Sequence, residues 1–302
     1  MRVLVTGSTG MVGRACAADL GKHGFEVVGA ARRPPSSPLG YPFAAIDLAA
    51  PDAARRLADQ VPACQAIVHC AASRARDEGD PAIVLTNCLG TQQILAAARR
   101  WDARGLVFMS GVGVVGVPRS LPVTEGHEPR PTTAYHASKL FGEELVRLAA
   151  RAGIAAASLR LAAPLGPGMP AERVVPTFLR RALAGEPLIV AGRGARRQTY
   201  VDVADVARAT RSALGRAAIG TFNIAGEEAV SNRELAELCV ARAGSRSKVL
   251  FSGVDPAESE RWEISIARAR RDLSYRPRLT LADSLDALVR ELSGARAPRV
   301  AR

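Results

Sequence analysis

Over the first 160 residues, short apolar runs alternate with stretches of helical periodicity. Residues 2–5, 25–29, 66–70, 106–109 and 154–159 read as strands, with a further short one at 44–46. These runs are mostly apolar and do not alternate regularly with polar positions, as in strands covered on both faces. Helical spacing predicts helices over 11–23, 51–60, 80–100 and 133–152. Strand–helix alternation implies βαβ units and a parallel sheet with helices on each side. From about residue 164 Gly and Pro become frequent, and short strands (187–190, 221–224) mix with helices (173–184, 203–214, 232–243, 281–292). The expected architecture is α/β: a Rossmann-type doubly wound parallel sheet with a smaller C-terminal α/β substrate lobe. The dinucleotide-binding domain is expected over 1–163 and the substrate lobe mainly over 164–302, with later segments returning to the first domain. The basic residues 294–302 are expected to fray.

Composition narrows the class. Of 302 residues, 48% are hydrophobic and 23% charged, the balance of an ordinary globular protein, which excludes a wholly disordered chain or a disulfide scaffold. No apolar run approaches the ~20 residues of a membrane span, and the N-terminus reads as a strand instead of a signal peptide, so the expected address is cytoplasmic. The formal charge is +12, with 41 Lys and Arg of which only Lys22, Lys139 and Lys248 are lysines. The arginines are scattered over many helical patterns without a basic tract interleaved with aromatics, which argues against nucleic acid. A phosphate-bearing small ligand suits the charge. The five cysteines form no CxxC pair and, with His23, His69, His127 and His136, no metal-ligand spacing, so reduced thiols and no metal are expected.

Two motifs carry chemistry. Gly7-Ser8-Thr9-Gly10-Met11-Val12-Gly13 follows the first strand and opens the first helix. In such a turn one glycine makes the tight bend, one lets backbone N–H groups approach a pyrophosphate, and one lets helix and strand pack closely. An acid at the end of the second strand would bond a ribose 2′-OH and favour NAD(H), yet none occurs between Glu26 and Asp47. Arg32 and Arg33 stand there instead, and guanidinium forks grip a 2′-phosphate, so NADP(H) is favoured over NAD(H). Asp47 and Leu48 would flank the adenine. The second motif is Tyr135-His136-Ala137-Ser138-Lys139, whose i, i+4 spacing sets phenol and ammonium on one helix face. A free phenol titrates at about 10 and is a poor base at neutral pH; a cation about 4 Å away favours its anion. Tyr135 would then exchange a proton with a substrate carbinol while hydride moves to or from the cofactor.

Together these residues resemble the extended short-chain dehydrogenase/reductase superfamily, NAD-dependent epimerase/dehydratase type, over nearly the whole chain. Val68-His69-Cys70-Ala71-Ala72 is similar to the segment that lies along the cofactor, and Asn87 to the helix Asn that supports the active site. Ser158-Leu159-Arg160 with Gly166-Pro167-Gly168 resembles the crossing into the substrate lobe, Tyr200 to Ala207 a substrate-contacting strand and helix start, and Arg271 to Pro277 a C-terminal signature. The resemblance implies nucleoside-diphosphate sugar substrates and a homodimer joined through helices like 80–100 and 133–152. It also implies substrate contacts at Gly111, Val112 and Tyr200. Three positions depart from the pattern. The family's catalytic Ser or Thr aligns with Gly111, beside Ser110, and loss of such a donor costs about 3 kcal/mol. A diphosphate-contacting Asn aligns with Ala163, and a phosphate-gripping Arg with Gln198, where Arg196 and Arg197 are adjacent.

The function expected is an NADP(H)-dependent oxidoreductase that reduces or epimerises a nucleoside-diphosphate (keto)sugar through Tyr135 and Lys139, with Ser110 as the neighbouring hydroxyl. Two alternatives stay open: a reductase of a non-nucleotide ketone, from Ala163 and Gln198, and a non-catalytic NADP-binding sensor, from Gly111.

Overall fold

The computed structural model describes residues 1–35, 39–74 and 77–294, so most of the basic C-terminal segment lies outside the described residues. The chain runs β1 (Arg2–Thr6), α1 (Met11–Lys22), β2 (Glu26–Ala31), β3 (Phe43–Ala45), α2 (Ala53–Gln60) and β4 (Ala66–His69). Then follow α3 (Pro81–Ile83), a π-helical turn (Val84–Leu89), α4 (Gly90–Arg100), β5 (Gly105–Gly111), a 3-10 turn (Val112–Val115), α5 (Ala134–Arg151) and β6 (Ala155–Leu161). The second half adds β7 (Ala163–Leu165), α6 (Val174–Leu183), β8 (Leu188–Ala191), β9 (Arg197–Asp202), α7 (Val203–Gly215) and β10 (Gly220–Ile224). It closes with β11 (Ala229–Ser231), α8 (Asn232–Arg242), β12 (Val249–Ser252), β13 (Arg261–Trp262), α9 (Ala267–Leu273) and α10 (Leu281–Gly294).

Seven parallel strands form one sheet in the order β10-β6-β5-β4-β1-β2-β3. The doubly wound Rossmann-type α/β architecture expected from the sequence is the one observed. The period of two explains the continuous apolar runs. Val3, Val5, Val68, Val107, Met109 and Leu159 enter one layer with Cys16 and Leu20 of α1 and Val206 of α7. Their strand neighbours Leu4, Ile67, Leu106 and Phe108 enter the other with Leu57 of α2, Ile94 of α4 and Val146 of α5. Each such side chain, fully buried, stabilises the fold by about 1.5–3 kcal/mol. A third core lies among α6, α8, α10, β8 and β9, and includes Leu179, Leu188, Tyr200, Leu235 and Leu285. Strands β11-β9-β13, with β7 beside β9, and the pair β12-β8 complete this lobe.

Two findings depart from the periodicity. The stretch 80–100 is not one helix: it changes pitch at the π turn, where Asn87 is buried. Such π segments cluster at functional sites. Strands β7, β11, β12 and β13 have two to four residues each, too few for a periodic signal.

Between β1 and β4 lies a buried polar chain. Thr6 Oγ1 is 2.7 Å from His69 Nδ1 and accepts from Ala71 N–H at 3.2 Å. His69 Nε2 is 3.1 Å from Thr91 Oγ1, which donates to the Asn87 carbonyl at 2.6 Å. With the Thr91 proton committed to Asn87, the network assigns the neutral Nε2–H tautomer to His69. Burial, seconded by the Lys139 charge, lowers the His69 pKa from 6.5 to about 3. The unfolded chain therefore binds a proton there that the folded one resists. This contribution to stability is complete above pH 6.5 and is lost as pH falls from 6.5 towards about 3. Stability should drop by about 1.4 kcal/mol per pH unit through that window on account of His69. Urea unfolding of the wild type and His69→Asn at several pH values checks this; equal slopes for the two proteins would contradict it.

Candidate active site

Helix α5 begins at an N-cap, Thr133, whose hydroxyl accepts from His136 N–H, and lies unusually close to β5. A Cβ added at Gly142 would stand 2.3 Å from Phe108 Cζ, so only glycine permits this approach. The closeness carries Lys139 beneath the end of β5, where it is 3% exposed and its Nζ donates to the Met109 carbonyl at 2.8 Å. The ammonium stands 4.9 Å from the Phe108 ring centroid and 5.7 Å from that of Tyr135. Among the described residues no carboxylate pairs with it. A buried cation held by one carbonyl and two ring faces is costly for a fold and is characteristic of a functional group. Tyr135 is half-buried on the same face, with the Arg74 guanidinium 5.0 Å above its ring. Arg173, ahead of α6, completes the positive surround. Its pKa is lowered from the usual range, first by burial and second by Arg74, against a raising influence of Tyr135.

Asn87 joins three pieces of this region. Its Oδ1 accepts from Ser73 N–H at 2.7 Å, and its Nδ2 donates to the Ser73 carbonyl at 3.0 Å and to Ser138 Oγ at 2.9 Å. Ser138 in turn donates to the Tyr135 carbonyl at 2.7 Å. The segment Cys70-Ala71-Ala72 after β4 is thereby tied to the Tyr135 helix.

On the other side of β1 the glycine turn has the geometry of a phosphate cradle. Gly7 has φ +64°, and a Cβ there would stand 2.8 Å from Ala71 N. A Cβ at Gly13 would stand 2.2 Å from the Gly7 carbonyl, so α1 packs hard against the turn. Gly10 caps α1 with no side-chain bond, and the first turn holds no acid, so its free N–H groups and positive dipole end remain available to an anion. Ser8 Oγ is wholly buried without a hydrogen-bond partner, an orphaned polar atom inside the turn. These features fit a dinucleotide pyrophosphate. At the end of β2, Arg32 and Arg33 are exposed and, among the described residues, pair with no carboxylate. Asp47 is exposed and accepts from Ala49 N–H at 3.0 Å, while Leu48 is buried beside Gly90.

The remaining sequence-derived positions divide. Gly111 is extended (φ −144°, ψ 148°), and a Cβ there would meet nothing nearer than the Leu161 carbonyl at 3.9 Å, whereas Val112 opens the 3-10 turn. Ser110 is buried, and its Oγ donates to Glu143 Oε1 of α5 at 2.5 Å. Glu143 also receives Arg160 Nε at 3.0 Å and Nη2 at 2.8 Å, a buried ion pair with both partners 6% exposed. Arg196 pairs with Glu260 at 3.0 Å and Arg197 with Glu234 at 3.2 Å. Tyr200 lies in the lobe's core, where burial pushes its phenol pKa up. Sequence reasoning missed Tyr41, which packs on Gly29 beside Ser8, and Arg74 and Arg173, none of which any periodicity or motif marks. It also passed over His136, whose place next to Tyr135 was the available signal.

The model of the NAD-dependent epimerase/dehydratase family matches residues 3–225. A putative UDP-glucose 4-epimerase of Methanocaldococcus jannaschii is 31% identical over 208 residues, 67% of this chain and 68% of that protein. A dTDP-glucose 4,6-dehydratase of Streptomyces griseus is 30% identical over 230 residues, 74% of this chain and 70% of that protein. The crystal structure of a Thermus thermophilus UDP-glucose 4-epimerase in complex with NAD aligns with a TM-score of 0.86 at 28% identity, covering 98% of this chain and 100% of that one.

Proposed function

Because this chain belongs to the NAD-dependent epimerase/dehydratase family, we propose that it acts on a nucleoside-diphosphate (keto)sugar as an oxidoreductase with Tyr135 as its acid–base and NADP(H) as its preferred dinucleotide. The observation that carries this reading is the buried Lys139 ammonium, unpaired by any carboxylate, on the same helix face as Tyr135. Tyr135 would take the carbinol proton at its phenolic oxygen and return it in the reverse direction, with the Lys139 ammonium 5.7 Å from its ring centroid. The Met109 carbonyl holds Lys139 in place, and Asn87 with Ser138 holds the backbone of Tyr135. Arg74 and Arg173 add positive potential on the open side of the ring.

When bound, the dinucleotide supplies hydride transfer at its nicotinamide. The turn Gly7, Ser8, Thr9, Gly10, Met11 and Val12 would hold its pyrophosphate, Arg32 and Arg33 its 2′-phosphate, and Asp47 and Leu48 its adenosine. Cys70, Ala71, Ala72, Tyr135 and Lys139 would line its nicotinamide half. The absence of any acid between Glu26 and Asp47, together with two exposed guanidinium groups after β2, supports NADP(H). Exposed Val84 and Leu85 on the π turn and Phe141 and Leu148 on α5 support a homodimer through these helices. Among the described residues no helix is long and apolar enough to cross a membrane.

Tyr135→Phe should lower turnover of UDP-glucose or dTDP-glucose by about 10²–10⁴-fold, far more than it lowers NADPH affinity. Full activity in that variant, measured by product formation on a nucleotide-sugar assay, would refute the assignment. Arg32→Ala/Arg33→Ala should weaken NADPH binding about tenfold or more and leave NADH within about twofold, since only the former loses charge-assisted bonds. Fluorescence titration checks this; equal loss for both nucleotides contradicts the NADP(H) preference.

A further inference from the structure

The crevice before Tyr135 is shaped by an exchange of side chains on one turn. Gly111 leaves open room where a hydroxyl is expected, and nothing fills it from within 3.9 Å. Two residues later, Gly113 has its space taken by His136. A Cβ on residue 113 would stand 2.3 Å from His136 Nε2, 2.5 Å from Cε1 and 2.8 Å from Cδ2. No other residue type at 113 leaves the imidazole where it is. Glycine at 113 is thus the condition for His136 to lie against the end of β5, and its ring meets Tyr135 edge-on at a centroid distance of 5.3 Å.

The ring is also oriented. Thr133 Oγ1 accepts from His136 N–H at 3.1 Å and stands 2.9 Å from Nδ1. This hydroxyl is placed to donate its own proton to Nδ1, and a neutral imidazole so held carries its hydrogen on Nε2. Among the described residues Nε2 has no hydrogen-bond partner. The ring is kept neutral first by burial and then by Arg74, with Lys139 adding to this and Glu78 opposing. A neutral N–H donor with one anchored nitrogen and one free nitrogen is the chemistry of an oxygen-binding group.

We propose that His136 is a catalytic residue of this site: its Nε2–H, admitted by Gly113, donates to the sugar oxygen that exchanges its proton with Tyr135 and replaces the hydroxyl absent at Gly111. The assignment rests on the nucleotide-sugar reading above and deepens it. It accounts for both glycines at once, since one removes the usual donor and the other makes way for its substitute. It also leaves Ser110 to its bond with Glu143.

The test is a crystal structure of the enzyme with NADP⁺ and UDP-glucose, joined to kinetics of three variants. The complex should show Nε2 within about 3.2 Å of a hexose oxygen that also contacts Tyr135. His136→Ala should lower kcat about 10²-fold with KM within about threefold, and His136→Ala/Gly111→Ser should recover at least about tenfold of that loss. His136→Ala/Gly111→Ala, which fills the same space without a hydroxyl, should recover nothing. A helix-capping role alone would give no dependence on the hydroxyl. If the hexose sits against Tyr135 but Nε2 lies beyond about 3.5 Å from every hexose oxygen, or if His136→Ala keeps wild-type kcat, the role of His136 is overturned and the nucleotide-sugar reading stands. If the complex holds no hexose before Tyr135, that reading fails and this inference with it.

Discussion

A single ammonium, buried without a counter-charge, governs the arrangement of this molecule. An unpaired cation inside a protein costs several kcal/mol unless its donors are satisfied and its charge is used. Lys139 is given a carbonyl from Met109 and the faces of Phe108 and Tyr135 but, among the described residues, no carboxylate. Each of these comes from the β5–α5 contact, and that contact exists because Gly142 lets the helix settle onto the Phe108 ring. The packing of one helix on one strand therefore fixes phenol and ammonium together at the carboxyl edge of the sheet, the end at which open α/β sheets bind ligands.

Around this cation the polar groups are arranged so that no other charge competes for it. His69, near enough to feel Lys139, is held neutral between Thr6 and Thr91. The nearby carboxylate, Glu143, is occupied by Arg160 and Ser110. Buried ion pairs of this kind add little net stability, yet removing one partner costs about 3–5 kcal/mol. The pair's service here is to keep a carboxylate on α5 away from the ammonium one turn before it. Asn87 and the π turn do the corresponding task for the backbone, tying the segment after β4 to the helix that carries Tyr135.

The sheet was legible because its strands are buried on both faces: Val3, Leu4 and Val5 all need cover, and only a parallel sheet between two helix layers supplies it. The glycine turn and the Tyr135/Lys139 spacing were legible for a similar reason, since each places its chemistry within one local element. What the sequence hid was contact across elements. Ser110 and Gly111 are neighbours in sequence, but strand alternation turns the serine towards Glu143 and Arg160, whose own pairing joins α5 to β6. The partnership of Gly113 with His136 spans a loop and a helix start and leaves no pattern in either. Strands such as β13, two residues long, exist only through their pairing with β9.

On the proposed function, the Lys139 charge is kept at the expense of the fold for the sake of a bound dinucleotide. Lys139→Met, close in volume and uncharged, separates those two effects. Thermal unfolding of the protein without cofactor and NADPH titration should be measured on the same preparation. The melting temperature should rise at least about 2 °C above wild type, because an unpaired buried charge has been removed, and NADPH affinity should fall more than about tenfold, the loss of one charge-assisted bond. A lower melting temperature with unchanged NADPH affinity would show that Lys139 serves the fold alone, and would contradict the account.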